Sequence, residues 1–170
     1  VVLSRASLHA AGAYACPNVR IRGRALATNT PPNGAFRGFG APQSLFAVER
    51  QMDRIAETLG LDPLTIRRRN AYKPGDVTPT GQVLKESVSA VEVLERAAAA
   101  TDFAARRAGF ERERANAVDD GRPRRGIGMS LFFHGSGFTG NGERRLMSRA
   151  AVRLREDLRI EALASSTDFG

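Results

Sequence analysis

Apolar positions along this chain recur with two periods, and the places where the period changes mark out its elements. Leu45, Val48, Met52, Ile55, Ala56 and Leu59 keep a spacing near 3.6, as in a helix with one buried stripe. Pro42 stands where a first-turn proline loses no hydrogen bond, and Gly60 supplies a stop. The pattern therefore predicts a helix that opens at Ala41-Pro42 and ends at Gly60. Asp62-Pro63 starts a second, short helix through Arg67 to Asn70. Ser89 to about Ala117, rich in Ala, Glu and Arg, predicts a further helix interrupted near Gly109.

Elsewhere the period is two. Asn18 to Ala27 alternates like a strand, with Val19, Ile21 and Gly23 on one face. Val1-Val2-Leu3 is strand-like as well, and Gly126 to Phe133 has the look of a buried strand. Ala151 to Arg155 and Leu158 to Ala162 alternate around Glu156-Asp157, which suggests a hairpin; a helix over the same residues stays open as an alternative. Asn29-Thr30-Pro31-Pro32-Asn33-Gly34 is dense turn chemistry, and Lys73-Pro74-Gly75-Asp76 is a second turn. A second glycine-rich stretch runs from Gly135 to Gly142. Together these give an α+β class of mixed helices and short strands. The expected organisation is residues 1–118, a linker at 119–124 and a second part at 125–170.

Composition narrows the classes. The net charge is +8, and all but two (Lys73 and Lys85) of the 26 basic residues are arginine. Such a balance first suggests a nucleic-acid partner. The arginines, however, are interspersed with 18 acids, and groups such as Glu49-Arg50 and Asp53-Arg54 fall at solvent-facing helical spacings. A basic nucleic-acid or anion-binding module without catalysis is the alternative reading. Cys16 is the one cysteine, which excludes disulfides and Cys-ligated clusters within the chain. It is expected to be a small buried hydrophobe. His9 and His134 lie too far apart in sequence to suggest a structural zinc site, and His134 is expected to be an ordinary packed or exposed residue. No apolar stretch is long enough for a membrane span. The strand-like start and the ending at Asp168-Phe169-Gly170 are expected to be interior to a longer subunit.

The densest chemistry lies at Gly34-Ala35-Phe36-Arg37-Gly38-Phe39-Gly40-Ala41-Pro42-Gln43. Glycines let the backbone approach a ligand and turn sharply. The loop runs into a helix start, where free N–H groups attract anionic oxygens. Phenylalanines beside an arginine suit a planar ring held by a ring face and a charged fork. The spacing is neither a Walker loop nor Gly-x-Gly-x-x-Gly. As bare composition, such a loop serves structure alone as readily as it serves a ligand.

As a string it is more specific. Asn29-Thr30, then Gly34 through Gly40, then Pro42-Gln43 closely resembles the loop of the xanthine dehydrogenase and aldehyde oxidase family, the molybdenum hydroxylases. Ser4-Arg5-Ala6, Leu8-His9 and Pro17-Asn18-Val19-Arg20 resemble the family's segment before that loop. Arg67-Arg68-Arg69-Asn70, Tyr72-Lys73, Gly75-Asp76 and Thr80-Gly81-Gln82 resemble its segment after the loop. Arg125-Gly126-Ile127-Gly128 and the closing Ser166-Thr167-Asp168-Phe169-Gly170 are similar too, the latter to the start of a Gly-Gln-Gly cofactor loop. The Phe-Arg-Gly-Phe core is unlike the Cys-bearing loop of carbon monoxide dehydrogenases.

The resemblance implies a fold, a cofactor and roles. Residues 1–118 would be part of the large molybdopterin-binding domain, and residues 125–170 the start of its second subdomain. A molybdenum–pterin cofactor would hydroxylate a purine-like N-heterocycle or an aldehyde, with oxygen drawn from water. Arg37 matches the residue whose backbone lies against the metal, with Gly38 beside it on the cofactor. Phe39 matches the ring that packs edge-on against substrate. Arg5 matches the arginine that stabilises charge developing on a heterocycle, a catalytic as well as a substrate-binding role. Phe169 and Gly170 match backbone contacts to pterin or metal. The glutamate base is expected outside these residues, and Glu161 is read as solvated. Iron–sulfur clusters and FAD are expected on other domains or subunits of an oligomeric, cytoplasmic enzyme, with the isolated chain inactive.

Overall fold

A computed structural model describes residues 2–31, 33–35, 37–118, 121–135 and 149–164. By contacts the chain divides into residues 1–133 and 134–170, a division that falls after the expected linker at 119–124. Phe36, Phe169, Gly170 and most of the second glycine-rich stretch lie outside the described residues.

The first unit is helical. Its elements are α1 (Val2–His9), α2 (Ala41–Leu59), α3 (Pro63–Asn70), α4 (Ala90–Ala100) and α5 (Phe103–Ala115). The expected stripe on α2 is the buried one: Leu45, Met52 and Ala56 are buried, Val48 and Ile55 half-buried, and only Leu59 faces water. Gly60 ends α2 in the left-handed conformation, its N–H donating to Glu57 O at 3.2 Å while Leu61 N–H reaches Ala56 O at 2.9 Å. That is the pattern in which two backbone bonds satisfy the last carbonyls. Asp62 then caps α3: its Oδ1 accepts the Leu64 and Thr65 amides at 3.0 and 2.9 Å. Partial burial pushes the Asp62 carboxyl up, but the bonds from Thr65 and Leu64 outweigh it and hold the group below its ordinary range.

α2 packs against both α1 and α3, α3 against α4, and α4 against α5. Ala13, Tyr14, Met52, Ala56, Ile66, Ala71, Tyr72, Leu94 and Leu131 form the core. The chain after α1 is tied to the chain after α3 by Ala15 N–H to Asn70 O (2.8 Å) and Tyr72 N–H to Ala13 O (3.1 Å).

Several expectations need correction. Val2-Leu3 belongs to α1, because packing against the start of α2 overrides the β-branched local preference. Residues 18–27 are exposed and pair with no strand among the described residues. The long helix breaks at Thr101-Asp102, where Thr101 Oγ1 turns back onto Ala97 O and Asp102 takes a positive φ of 47°. Gly109 sits inside α5. Residues 126–133 form no strand: Leu131 is buried, and its N–H goes to a carboxylate instead of a neighbouring strand. Cys16 is exposed, its Sγ 3.6 Å from Asn18 O.

In the second unit the described residues form the hairpin that the alternation suggested, β1 (Ala151–Leu154) against β2 (Ile160–Leu163). The strands are antiparallel, with Arg153 opposite Glu161. Glu161 is half-buried and faces Arg153 and Arg155 at 3.7 and 3.8 Å. With helices and a short two-stranded sheet, the class is α+β.

Candidate functional site

The expected site residues come from α1 and from the loop that feeds α2. The loop is sharply bent: Gly38 has φ 92° and Phe39 has φ 64°, a left-handed conformation that is costly for an aromatic residue. Gly38 O collects the N–H groups of Gly40 and Ala41 at 2.8 and 3.1 Å. The first amides of α2 therefore turn onto the loop itself, and Ala41 is fully buried. Arg37 is exposed, and Gly38 and Phe39 are half-buried.

One contact fixes the loop to α1. A Cβ placed on Gly40 would stand 2.1 Å from Val2 O and 3.0 Å from Ala6 N, so only glycine lets the two backbones meet. Phe39 precedes Gly40 and Arg5 precedes Ala6, so both candidates stand on the two segments that meet here, although the closest approach itself is to Val2 O. Arg5 is buried on α1, and its carbonyl is 2.8 Å from Nδ1 of the buried His9. His9 in turn lies 5.8 Å from the Phe133 ring, which meets Tyr72 edge-on at 6.1 Å. The structure thus brings α1 and the loop together. Phe169 and Gly170 lie outside the described residues.

Sequence reasoning missed a second cluster. Glu49, expected on a solvent-facing spacing, is buried. Its Oε2 accepts Arg67 Nε at 2.9 Å and the Leu131 amide at 2.8 Å, and its Oε1 accepts the Tyr14 hydroxyl. Arg67 is wholly buried and also donates to Asp53 Oδ1 (2.9 Å), Glu49 O (3.2 Å) and Pro63 O (3.1 Å). Burial pushes the Tyr14 hydroxyl far above its usual range, and the bond to Glu49 adds to the rise. For Arg67 burial works against the charge, but the bond and charge of Glu49 more than compensate and the guanidinium is raised. The legible signal was phase: Glu49 falls on the same face as Leu45, Met52 and Ala56. This cluster locks α2, α3 and residue 131 together rather than facing a ligand.

An open groove of about 570 Å³ lies elsewhere, between Cys16, Pro17 and Val19 on one side and Val77, Thr78 and Pro79 on the other. None of Arg5, Arg37 and Phe39 lines it. No described helix is long and apolar enough to cross a membrane.

Comparison with known proteins decides what this arrangement belongs to. The molybdopterin cofactor-binding domain model matches residues 1–71. The nicotinate dehydrogenase large molybdopterin subunit of Eubacterium barkeri is 48% identical over 96 residues, which are 56% of this chain and 23% of that subunit. The aldehyde oxidoreductase of Megalodesulfovibrio gigas is 42% identical over 127 residues, 75% of this chain and 13% of the relative. Among solved structures, the aldehyde oxidoreductase of Desulfovibrio desulfuricans matches 95% of this chain and 16% of its own, with TM-score 0.75 and 32% identity. The chain belongs to the xanthine dehydrogenase and aldehyde oxidase family. It spans less than a quarter of the length of each of these family members. The matched 1–71 contains α1, the loop, α2 and α3, so every described candidate residue and the Glu49–Arg67 frame fall in the family's molybdopterin-binding region.

Proposed function

We propose that α1 and the loop at 37–40 form one wall of the hydroxylation site of a molybdenum hydroxylase. What supports this most is the backbone contact of Gly40 with Val2 and Ala6, which sets Arg5 and Phe39 on neighbouring elements. The residues fit a pterin-held metal. The bend at Gly38 and Phe39 turns an exposed Arg37 outward. Among the described residues no group of three His, Cys, Asp or Glu side chains gathers, so a metal here would arrive with its own ligands. When bound, the molybdenum–pterin group would accept two electrons and supply the water-derived oxygen. Phe169 and Gly170 keep the pterin-side backbone role that the family resemblance gives them.

Arg37 contributes backbone on the metal side, and Gly38 leaves room beside it. The Phe39 ring orients a flat substrate by its edge. Arg5 supplies a charge-assisted donor where negative charge grows on the ring, and a site shielded from water strengthens that interaction. The substrate class is an N-heterocycle, in keeping with Arg5 and with a relative named for nicotinate; an aldehyde is the second reading, favoured by the aldehyde oxidoreductases. The glutamate base, the iron–sulfur clusters and the flavin come from outside these 170 residues, in an oligomeric, cytoplasmic enzyme.

Arg5→Gln in the assembled enzyme tests the reading. The value of kcat/KM for an N-heterocycle should fall about 10²- to 10³-fold, with aldehyde turnover much less affected and molybdenum content unchanged. Equal losses on both substrates, or none, would remove Arg5 from the chemistry. The 170-residue chain alone should hold no stoichiometric molybdenum by elemental analysis. A loaded, active chain would show instead that the site is complete within it.

A further inference from the structure

Arg5 sits on a helix too short to hold itself. α1 has eight residues, and isolated helices below about 12–15 residues are marginal in water. Its place is therefore set by what it touches. At its start the Gly40 backbone meets Val2 and Ala6. Farther along, a Cβ on Gly23 would stand 2.6 Å from Ser7 Oγ and 2.7 Å from Leu3 Cδ1, so the chain at Gly23 rests on this helix too. At its end stands His9, buried and 4% exposed.

Nδ1 of His9 lies 2.8 Å from Arg5 O, one turn back along α1. A carbonyl oxygen can only accept, so Nδ1 carries the proton and donates. The imidazole also lies 5.8 Å from the Phe133 ring, tilted by 44°. Phe133 meets Tyr72 edge-on, and Tyr72 belongs to the core. Two residues before Phe133, the Leu131 amide donates to Glu49. A path of contacts that are all made, not open, thus runs from the Glu49–Arg67 frame through Leu131, Phe133 and His9 to the Arg5 carbonyl. Packing alone would be served as well by leucine, since burying an imidazole carries a desolvation cost that an apolar side chain avoids.

We propose that His9 is the positioning residue for Arg5, holding the Arg5 carbonyl by its Nδ1–H while its ring leans on Phe133. The inference rests on the substrate role given to Arg5 above. Fixing that carbonyl fixes the backbone from which the guanidinium stem departs. A donor helps the reaction only where it is aimed at the charge that develops, and a misplacement of about 1 Å can cost about 100-fold in rate. His9 acts through Arg5, not on the substrate ring itself.

His9→Leu and His9→Asn in the assembled enzyme test this. Leucine fills the space without a donor, whereas the asparagine Nδ2 can reproduce the Nδ1 bond. His9→Leu should lower kcat for an N-heterocycle about 10- to 100-fold, with KM little changed and aldehyde turnover spared. His9→Asn should recover most of that loss. Added to Arg5→Gln, His9→Leu should cost little more, because its effect passes through the guanidinium already removed. Crystal structures should show the Arg5 guanidinium displaced in the leucine variant and in place in the asparagine one. Equal losses in the two His9 variants, equal losses on the two substrates, or additivity with Arg5→Gln would each overturn the proposal. If Arg5→Gln alone leaves turnover intact, the substrate role of Arg5 fails, and the crystal structures decide for His9 by themselves: an undisplaced guanidinium rules out positioning. Phe133→Leu keeps the bond but removes the ring wall, and should give a smaller loss of the same selectivity. It replaces His9→Leu if that variant loses its molybdenum, and an unchanged selectivity there would count against the proposal.

Discussion

Two regions of the first unit meet on α2 and are built on opposite plans. Around Glu49 everything is enclosed: Tyr14, Arg67 and the Leu131 amide converge on one carboxylate, and Arg67 is completely buried. Around Gly38 the backbone is open and strained, with two consecutive positive φ values and one close approach, Gly40 to α1. The first plan concentrates stability, because a buried charge that loses its partner is heavily penalised. The second holds a costly conformation that persists only when the surroundings over-determine it. Side by side, they show how a frame assembled from ionic side chains lets a neighbouring loop keep a shape its own sequence disfavours.

If that division is right, substitutions on the two sides should differ in kind. Glu49→Ala should cost about 3–5 kcal/mol in denaturant unfolding, since it leaves the Arg67 charge buried without its main partner. Replacing both Glu49 and Arg67 with apolar residues should recover only part of this, because the Tyr14 hydroxyl and Leu131 amide would lose their acceptor. Gly40→Ala should cost about 1–3 kcal/mol by forcing α1 away from the loop. Faster amide exchange confined to α1 would locate the effect there; unchanged exchange would mean that the approach is not a constraint.

Phe39 gives a finer comparison. Phe39→Gly and Phe39→Ala both delete the ring, so the difference between them isolates backbone strain. The glycine variant should be the more stable by about 1–2 kcal/mol, although both should lose substrate turnover in the assembled enzyme. Equal stabilities would dismiss the strain. Smallest is the cap of α3: Asp62→Ala should cost about 1 kcal/mol at neutral pH. Because the folded carboxyl is depressed, its contribution is complete above the unfolded value near 4 and fades as pH falls through the folded one. The wild-type and Asp62→Ala melting curves should therefore converge in acid.

What could be read beforehand was local. The bounds of α2 and α3 come from a 3.6 spacing closed by Pro42, Gly60, Asp62 and Pro63, all within a turn of the ends they set. The β1–β2 hairpin is legible for the same reason, its two strands being adjacent around Glu156-Asp157. Residues 18–27 alternate like a strand, yet a ladder needs a neighbour that alternation cannot specify. The break falls at Asp102, which takes a positive φ, instead of at Gly109, a choice that helix propensity does not encode. The Glu49–Arg67 pair spans 18 residues and two helices, so the charges looked solvent-facing until α3 was laid against α2. For the site, the loop string marked Arg37, Gly38 and Phe39, whereas the meeting of Gly40 with Val2 and Ala6 is a tertiary fact.

The bond from Leu131 to Glu49 also bears on the order of assembly. It joins residues 82 apart, a closure whose chain-entropy cost is about 4 kcal/mol. One hydrogen bond to a charged group returns only about 1.5–3 kcal/mol. Residues 126–133 are therefore expected to dock after α2 and α3 have presented Glu49 in place, when Leu131 can bury with the bond. Until then the carboxylate lacks one of its donors, so the helical frame should first appear in refolding as a looser state that tightens as this segment closes over it.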